Sequence, residues 1–151
     1  MQSTNRRPHQ LDKRRIYIAM RIAIGCDEQN IVIDKVQSYV KELGHDVVVS
    51  TIGHWAEVAK STVGNIGGQA DIAIVMCWSG TGVCMAANKV EGIRAALCWD
   101  AETARLARKW NDANVLCLSQ RWTSETVAIE IVEAFLNGDF NEEGLGQTAQ
   151  V

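Results

Sequence analysis

Apolar residues along the chain form short runs that alternate with longer stretches of helical spacing. Ile72-Ala73-Ile74-Val75-Met76 is typical of a strand buried on both faces of a parallel sheet. Residues 31–43 repeat apolar side chains at helical spacing and stop at Gly44, a residue that commonly ends helices. The pattern predicts strands at 21–26, 47–49, 72–77, 93–98 and 115–118, and helices at 31–43, 55–63, from the loop after Cys77 to Lys89, at 101–110 and at 125–136.

Five β/α units in regular alternation predict one α/β domain. We expect a doubly wound, Rossmann-like, five-stranded parallel sheet with helices on both faces. We assign residues 20–137 to this domain, residues 1–19 to a polar, basic N-terminal extension and residues 138–151 to a polar C-terminal tail. In such a sheet the ligand lies at the carboxyl ends of the strands.

Composition narrows the function classes. The hydrophobic fraction of 47% and charged fraction of 22% are normal for a globular protein, and a net charge of −3 gives no reason to expect nucleic acid or an anionic membrane as partner. The chain has no apolar run of transmembrane length and no signal peptide, so we expect a cytoplasmic protein. Its five cysteines fit reduced thiols, and no pair has the spacing of a metal site.

The third predicted strand leads into a Gly-punctuated loop and then a helix. A strand, a tight turn and a helix N-terminus form a cradle of backbone N–H groups for an anion. The thiol of Cys77 ends the strand, and a thiolate beside a helix N-terminus can act as base or nucleophile. We expect the same rim to carry further polar and aromatic residues, namely Asp27, Glu28, Ser79 to Gly82, Trp99, Asp100, Asn111, Asp112 and Asn114. This inventory suits proton transfer next to a carbonyl better than hydride transfer.

Four sequence blocks resemble the type B ribose-5-phosphate isomerases and the related galactose-6-phosphate isomerases. They are Ile22-Ala23-Ile24-Gly25-Cys26-Asp27, Cys77-Trp78-Ser79-Gly80-Thr81-Gly82, the run from Ala86 to Cys98, and Asn111-Asp112-Ala113-Asn114-Val115-Leu116. The resemblance covers about residues 20–136. It implies homodimers whose sites are completed by the partner subunit, and a proton transfer between C1 and C2 of a sugar phosphate through an enediolate, without metal or cofactor.

The resemblance also assigns roles position by position. Cys77 matches the cysteine that acts as base in one branch of the family, and Ser79 matches a residue that contacts the substrate. Gly80 and Gly82 belong to the loop that stabilises the enediolate. Asp27, Asn111 and Arg121 match residues that bind the substrate hydroxyl, the substrate and the phosphate. The candidate substrate-binding residues are therefore Asp27, Glu28, Trp78, Gly80, Thr81, Gly82, Asn111 and Arg121, with His54 and Trp110 as further candidates.

Several positions depart from the family pattern. Glu28 and Trp110 each stand where the family has a histidine. The family's histidine at the position of Trp110 is the residue that opens the sugar ring. Trp78 replaces a glycine of the family. Two phosphate-binding arginines and a histidine are missing from the C-terminal region, which reads Asn141-Glu142-Glu143-Gly144-Leu145-Gly146. Removing arginine partners weakens phosphate binding, and tryptophan cannot supply acid or base catalysis.

These departures predict an isomerase with a substrate shifted from ribose 5-phosphate. A tetrose 4-phosphate needs no ring opening because its terminal oxygen is blocked, and a non-phosphorylated sugar would explain the lost arginines. The alternatives are a catalytically impaired sugar-binding relative or partner subunit, and a structural dimer in which Trp78 and Trp110 fill the pocket.

Overall fold

The computed structural model describes residues 18–140, 148 and 151. Within them, five parallel strands form one sheet in the order β2-β1-β3-β5-β4. Residues 1–17 of the expected N-terminal extension lie outside the described residues. So do Glu142 and Glu143 of the expected C-terminal tail. No helix in the described part of the protein is long and apolar enough to cross a membrane.

Strands and helices alternate along the sequence, as the hydrophobic pattern predicts. The strands are β1 (Arg21–Cys26), β2 (Asp46–Ile52), β3 (Ile72–Cys77), β4 (Ala95–Leu97) and β5 (Val115–Ser119). The helices are α1 (Ile31–Glu42), α2 (Trp55–Val63), α3 (Thr81–Ala87), α4 (Ala101–Asn111) and α5 (Glu125–Leu136). The predicted doubly wound α/β fold is therefore confirmed.

The helices cover both faces of the sheet and create two cores. One core joins apolar residues of α1, α4 and α5 to one face of the sheet, and the other joins those of α2 and α3 to the opposite face. Central strands β3 and β5 are buried along their whole length, which is why their sequences are continuous apolar runs. Edge strand β2 alternates between exposed and half-buried positions.

Three helices begin at capping residues that the sequence provides. The side chains of Asn30, Asp100 and Ser124 accept hydrogen bonds from backbone N–H groups in the first turns of α1, α4 and α5. Helix α1 ends just before Gly44, which has a φ of +86°. Ser124 and Gly44 confirm the predicted limits of those helices. Helix α2 ends at Val63, the predicted limit, and Gly64 is its C-cap.

The short edge strand β4 is held by side-chain amides instead of a second neighbouring strand. The amide of Asn88 accepts a hydrogen bond from the N–H of Ala95 at 2.8 Å and donates one to its carbonyl at 2.9 Å. Asn114 likewise accepts from the N–H of Arg94 at 2.8 Å and donates to the carbonyl of Gly92 at 3.0 Å. The blocks that contain Asn88, Arg94 and Asn114 therefore fix the sheet edge.

The backbone leaves β1 and β3 in opposite directions across the sheet. From β1 it passes to β2 on one side, and from β3 it passes to β4 on the other. The divergence opens a crevice at the carboxyl ends of β1 and β3, the usual ligand position in open α/β sheets. The fold thus directs attention to the segments that follow Cys26 and Cys77.

Candidate active site at the carboxyl ends of the central strands

Backbone hydrogen bonds tie the ends of the three central strands together. The N–H of Asp27, after β1, donates to the carbonyl of Met76 at 3.2 Å, and the N–H of Gln120, after β5, donates to the carbonyl of Cys77 at 3.0 Å. Cys77 thus ends the middle strand of a fixed three-strand platform. Its side chain is 5% exposed and belongs to the core beneath α2 and α3.

The loop between Cys77 and α3 turns through a glycine in a left-handed conformation. Gly80 has a φ of +77°, and a Cβ added there would lie 2.6 Å from Leu97 Cδ1 and 3.0 Å from the backbone of Leu118. Only glycine meets both the conformation and the space. The hydroxyls of Ser79 and Thr81, on either side of Gly80, lie 2.7 Å apart. The predicted cradle at the start of α3 is therefore sharply folded against β5.

Trp55 covers the first turn of α3. A Cβ added to Gly82 would lie 2.9 Å from Cε3 of the Trp55 ring, so the indole rests directly on this glycine. His54 immediately precedes α2, and its ring lies 5.4 Å from that of Trp55 between centroids. The candidate residue His54 is therefore at the same rim as the loop after Cys77.

Trp78 has a fixed backbone and an open side chain. Its carbonyl accepts hydrogen bonds from Ser119 Oγ and from the N–H of Arg121, both at 2.9 Å. The indole is 58% exposed. The indole therefore stands open at the rim of this protomer.

The loop after β1 is fixed through Cys26. Burial raises the pKa of the Cys26 thiol to about 11, so the thiol stays protonated at neutral pH. It donates a hydrogen bond to the carbonyl of Glu28 at 3.0 Å, and Asn30 Nδ2 donates to the same carbonyl at 3.0 Å. Asp27 and Glu28 are thereby placed beside the end of β3.

Arg121 follows β5 on the same rim. Its guanidinium carbon lies 4.9 Å from the centre of the Trp122 ring. This cation–π contact restricts the positions that the guanidinium group can adopt. Trp122 and Gln120 were missed by sequence reasoning. Their position directly after a buried strand was the available signal, since the ends of parallel strands share one edge.

The prediction that this rim also carries Asn111, Asp112 and Asn114 was wrong. Trp110 lies away from the rim as well. Helix α4 runs antiparallel to the strands and returns the backbone to the amino edge of the sheet. There the carbonyl of Asn114 accepts from the N–H of Ala73 at 3.1 Å, at the start of β3, and Asp112 pairs with an arginine of the β4 edge at 3.0 Å. Asn111 lines a separate groove of about 700 Å³ beside β4.

The cysteines are free thiols, and the described residues include no group of three or more His, Cys, Asp or Glu side chains able to hold a metal. Cys84, on α3, is half-buried, and a hydrogen bond with Cys117 lowers the pKa of its thiol to about 7. Burial raises the pKa of Cys98 to about 12 and that of Cys117 well above its usual value.

We expect Cys84 to be alkylated well before Cys26 and Cys98 as pH rises. The reactive thiolate form appears as pH passes the pKa, so iodoacetamide labelling of Cys84 followed by peptide mass spectrometry should be half-maximal near pH 7. In a Cys117→Ala variant the midpoint should move upward, because the stabilising hydrogen bond is gone. An unchanged midpoint in that variant would show that Cys117 does not set the reactivity of Cys84.

Comparison with known proteins agrees with this architecture. Residues 22–150 match the family model described as Ribose/Galactose Isomerase. The structure of the type B ribose 5-phosphate isomerase of Trypanosoma brucei superposes with a TM-score of 0.79 at 35% identity, covering 88% of this chain and 97% of that one.

Three curated relatives show how far the similarity extends. A probable ribose-5-phosphate isomerase B of Mycoplasma genitalium is 51% identical over 70 residues, but the match covers only 46% of each chain. The D-erythrulose-4-phosphate isomerase of Pectobacterium atrosepticum is 35% identical over 140 residues, covering 87% of this chain and 91% of that protein. The galactose-6-phosphate isomerase subunit LacB of Clostridium acetobutylicum is 36% identical over 132 residues, covering 80% and 74%. The chain belongs to the ribose/galactose isomerase family.

Proposed function

We propose that the protein interconverts an aldose phosphate and the corresponding ketose phosphate, with Cys77 as the base. The Cys77 thiolate removes the proton from the hydroxyl-bearing carbon next to the carbonyl. The electron pair of that C–H bond forms the C1–C2 double bond, and the π electrons of the carbonyl move to its oxygen, which gives an enediolate. The hydroxyl proton passes to that oxygen, the hydroxyl-bearing carbon becomes the new carbonyl, and the former carbonyl carbon takes back the proton held by Cys77. Substrate and product are isomers, so the reaction balances without an oxidant, a metal or a cofactor.

The loop after Cys77 suits the charge that develops in this reaction. The N–H groups in the first turn of a helix have no partners within the helix, and those of α3 begin directly after Gly80. N–H donors aimed at a developing enediolate oxygen lower its energy. We assign this stabilisation to Gly80, Thr81 and Gly82, and substrate hydroxyl contacts to Ser79 and Asp27.

We further propose that the site is completed by a second copy of the protein. Trp110 and Asn111 lie at the amino edge of the sheet, whereas Cys77, Ser79 and Arg121 lie at the carboxyl edge. One protomer cannot bring these groups to one substrate. A homodimer that places the amino-edge groove of one protomer against the carboxyl-edge rim of its partner would do so. The free thiols further favour a reducing compartment, such as the cytoplasm.

The substrate that fits best is a tetrose 4-phosphate. The observation that carries this choice is Trp110, at the position that holds the ring-opening histidine in the family pattern. An indole cannot exchange protons near neutrality, so a closed sugar ring would stay closed. Tetrose 4-phosphates have no free terminal hydroxyl to close a five-membered ring. The similarity to the D-erythrulose-4-phosphate isomerase of Pectobacterium atrosepticum supports the same choice.

Turnover of four substrates separates the effect of the number of carbons from the effect of ring opening. We expect D-erythrulose 4-phosphate and D-erythrose 4-phosphate to be turned over, and D-ribulose 5-phosphate, which is acyclic, to be a poorer substrate. Turnover of D-ribose 5-phosphate, which is mainly a closed ring, should be lower again by about 100-fold or more, since acid–base catalysis of ring opening is missing. A Trp110→His variant should raise turnover of D-ribose 5-phosphate relative to D-ribulose 5-phosphate. Equal wild-type turnover of D-erythrose 4-phosphate and D-ribose 5-phosphate would contradict the proposal.

A second candidate is a subunit that acts with a related protein. The 36% identity to a protein described as a subunit of galactose-6-phosphate isomerase favours it. This candidate predicts no turnover of any of the four substrates by the purified protein alone, and activity when a homologous subunit is added.

A further inference from the structure

A side-chain hydrogen bond crosses the carboxyl end of β3, directly at the proposed site. Gln120 Nε2 donates to Glu28 Oε1 at 2.9 Å. Glu28 follows β1 and Gln120 follows β5, and these strands flank β3 in the sheet. Strands two places apart are separated by about 10 Å, so the two side chains together span the width of β3. We refer to Glu28 and Gln120 as the clamp.

Both ends of the clamp are fixed by the backbone. The carbonyl of Glu28 receives hydrogen bonds from the Cys26 thiol and from Asn30, which also caps α1. The N–H of Gln120 is bonded to the carbonyl of Cys77. The clamp is therefore held at a set position relative to the strand that carries the proposed base.

The amide oxygen of Gln120 gives a second indication of a functional role. It is buried and receives no hydrogen bond from the part of the protein that the structure describes. A buried acceptor without a donor is destabilising, and such groups concentrate at functional sites. The orientation that leaves this oxygen unsatisfied is the one that directs Nε2 towards Glu28.

We propose that the clamp limits the length of sugar phosphate that the site accepts, with Gln120 as a positioning residue for Glu28. This inference rests on the proposed function. A substrate whose C1 and C2 lie at Cys77 must extend along the rim, and a side-chain bridge across β3 shortens the space available there. A sugar phosphate of four carbons fits within the shortened space, whereas a fifth carbon with its hydroxyl meets the bridge.

Binding of acyclic sugar acids tests the clamp without turnover. The probes are 4-phospho-D-erythronate and 5-phospho-D-ribonate, which differ by one CHOH unit and require no ring opening. Isothermal titration calorimetry of the full-length protein should show the shorter probe binding at least about tenfold more tightly, the range that one such unit commonly contributes. In Gln120→Ala and in Glu28→Ala the affinity ratio should fall towards one.

Glu28→Gln is the matched control, because its amide oxygen can still accept from Gln120 Nε2. This variant should keep the wild-type ratio even if both affinities change. The proposal is overturned if the wild-type ratio is near one, if neither probe binds, or if Gln120→Ala and Glu28→Ala keep the ratio. It is also overturned if Glu28→Gln alone removes the ratio, which would show that the charge of Glu28 selects the ligand. Binding with the expected ratios but no isomerisation would refute only the proposed function.

Discussion

Replacing Cys77 with alanine should lower kcat by about 1,000-fold while substrate binding persists, since positioned acid–base groups contribute about 10²- to 10⁴-fold to rate. The thiol is small and 5% exposed, and it ends the middle strand of the platform formed by β1, β3 and β5. Its removal deletes the only group to which we assign proton abstraction. Cys77→Ser should be similarly impaired, because a hydroxyl is a far weaker base precursor than a thiol at neutral pH.

Cys117→Ala is the control for Cys77→Ala. Cys117 lies on the neighbouring strand β5 in the same core, and is fully buried. The two variants lose the same atom from the same core, so comparable losses of thermal stability are expected. Only Cys77→Ala should lose turnover. Equal loss of kcat in both would indicate a packing effect and would remove the assignment of Cys77 as base.

Gly80→Ala should impair both folding and turnover. An alanine at a φ of +77° is strained by about 1–2 kcal/mol. Its Cβ would overlap Leu97 Cδ1 at 2.6 Å and crowd the backbone of Leu118 at 3.0 Å, which lies in a buried central strand and cannot move aside cheaply. Relief of the overlap must displace the loop that holds the start of α3. Because misplacement of a catalytic group by about 1 Å can lower the rate about 100-fold, we expect at least that loss in kcat/KM.

Gly67→Ala separates backbone strain from displacement of the loop. Gly67 has a φ of +85°, but a Cβ added there has no heavy atom within 4 Å. It should reduce thermal stability through strain alone and leave kcat/KM unchanged. If Gly80→Ala behaves like Gly67→Ala in the activity assay, the loop after Cys77 does not have the catalytic role that we assign to it.

The fold was largely predictable because buried parallel strands have continuous apolar sequences. β3 and β1 begin and end where the pattern places them, and α5 begins at its capping serine. β2 is longer than predicted because its polar end, including Ser50 and Thr51, still pairs with β1. β4 is shorter than the predicted 93–98. Its apolar run includes residues in the turn before the strand, and side-chain amides hold its outer edge.

The candidate site was predictable only where its residues directly follow strands. The strand ends place Asp27, Cys77 and Arg121 together, because parallel strands end at one edge. Asn111 is the last residue of α4, a helix of 11 residues and about 16 Å, which carries the backbone from the carboxyl edge of the sheet back to its amino edge. Gln120 was missed because glutamine has no chemical signature of its own. Its role depends on a bond to Glu28, 92 residues away in sequence, which no local pattern reveals.

Proton exchange is the most direct test of the central claim, that Cys77 performs enediolate chemistry on an acyclic sugar phosphate. The wild-type protein would be incubated in D2O with D-erythrulose 4-phosphate, and proton NMR would follow the C1 hydrogens. We predict stereospecific replacement of one C1 hydrogen by deuterium, even where little net product accumulates, and no replacement with Cys77→Ala. Product formation without deuterium incorporation, or equal exchange by the Cys77→Ala variant, would contradict the account.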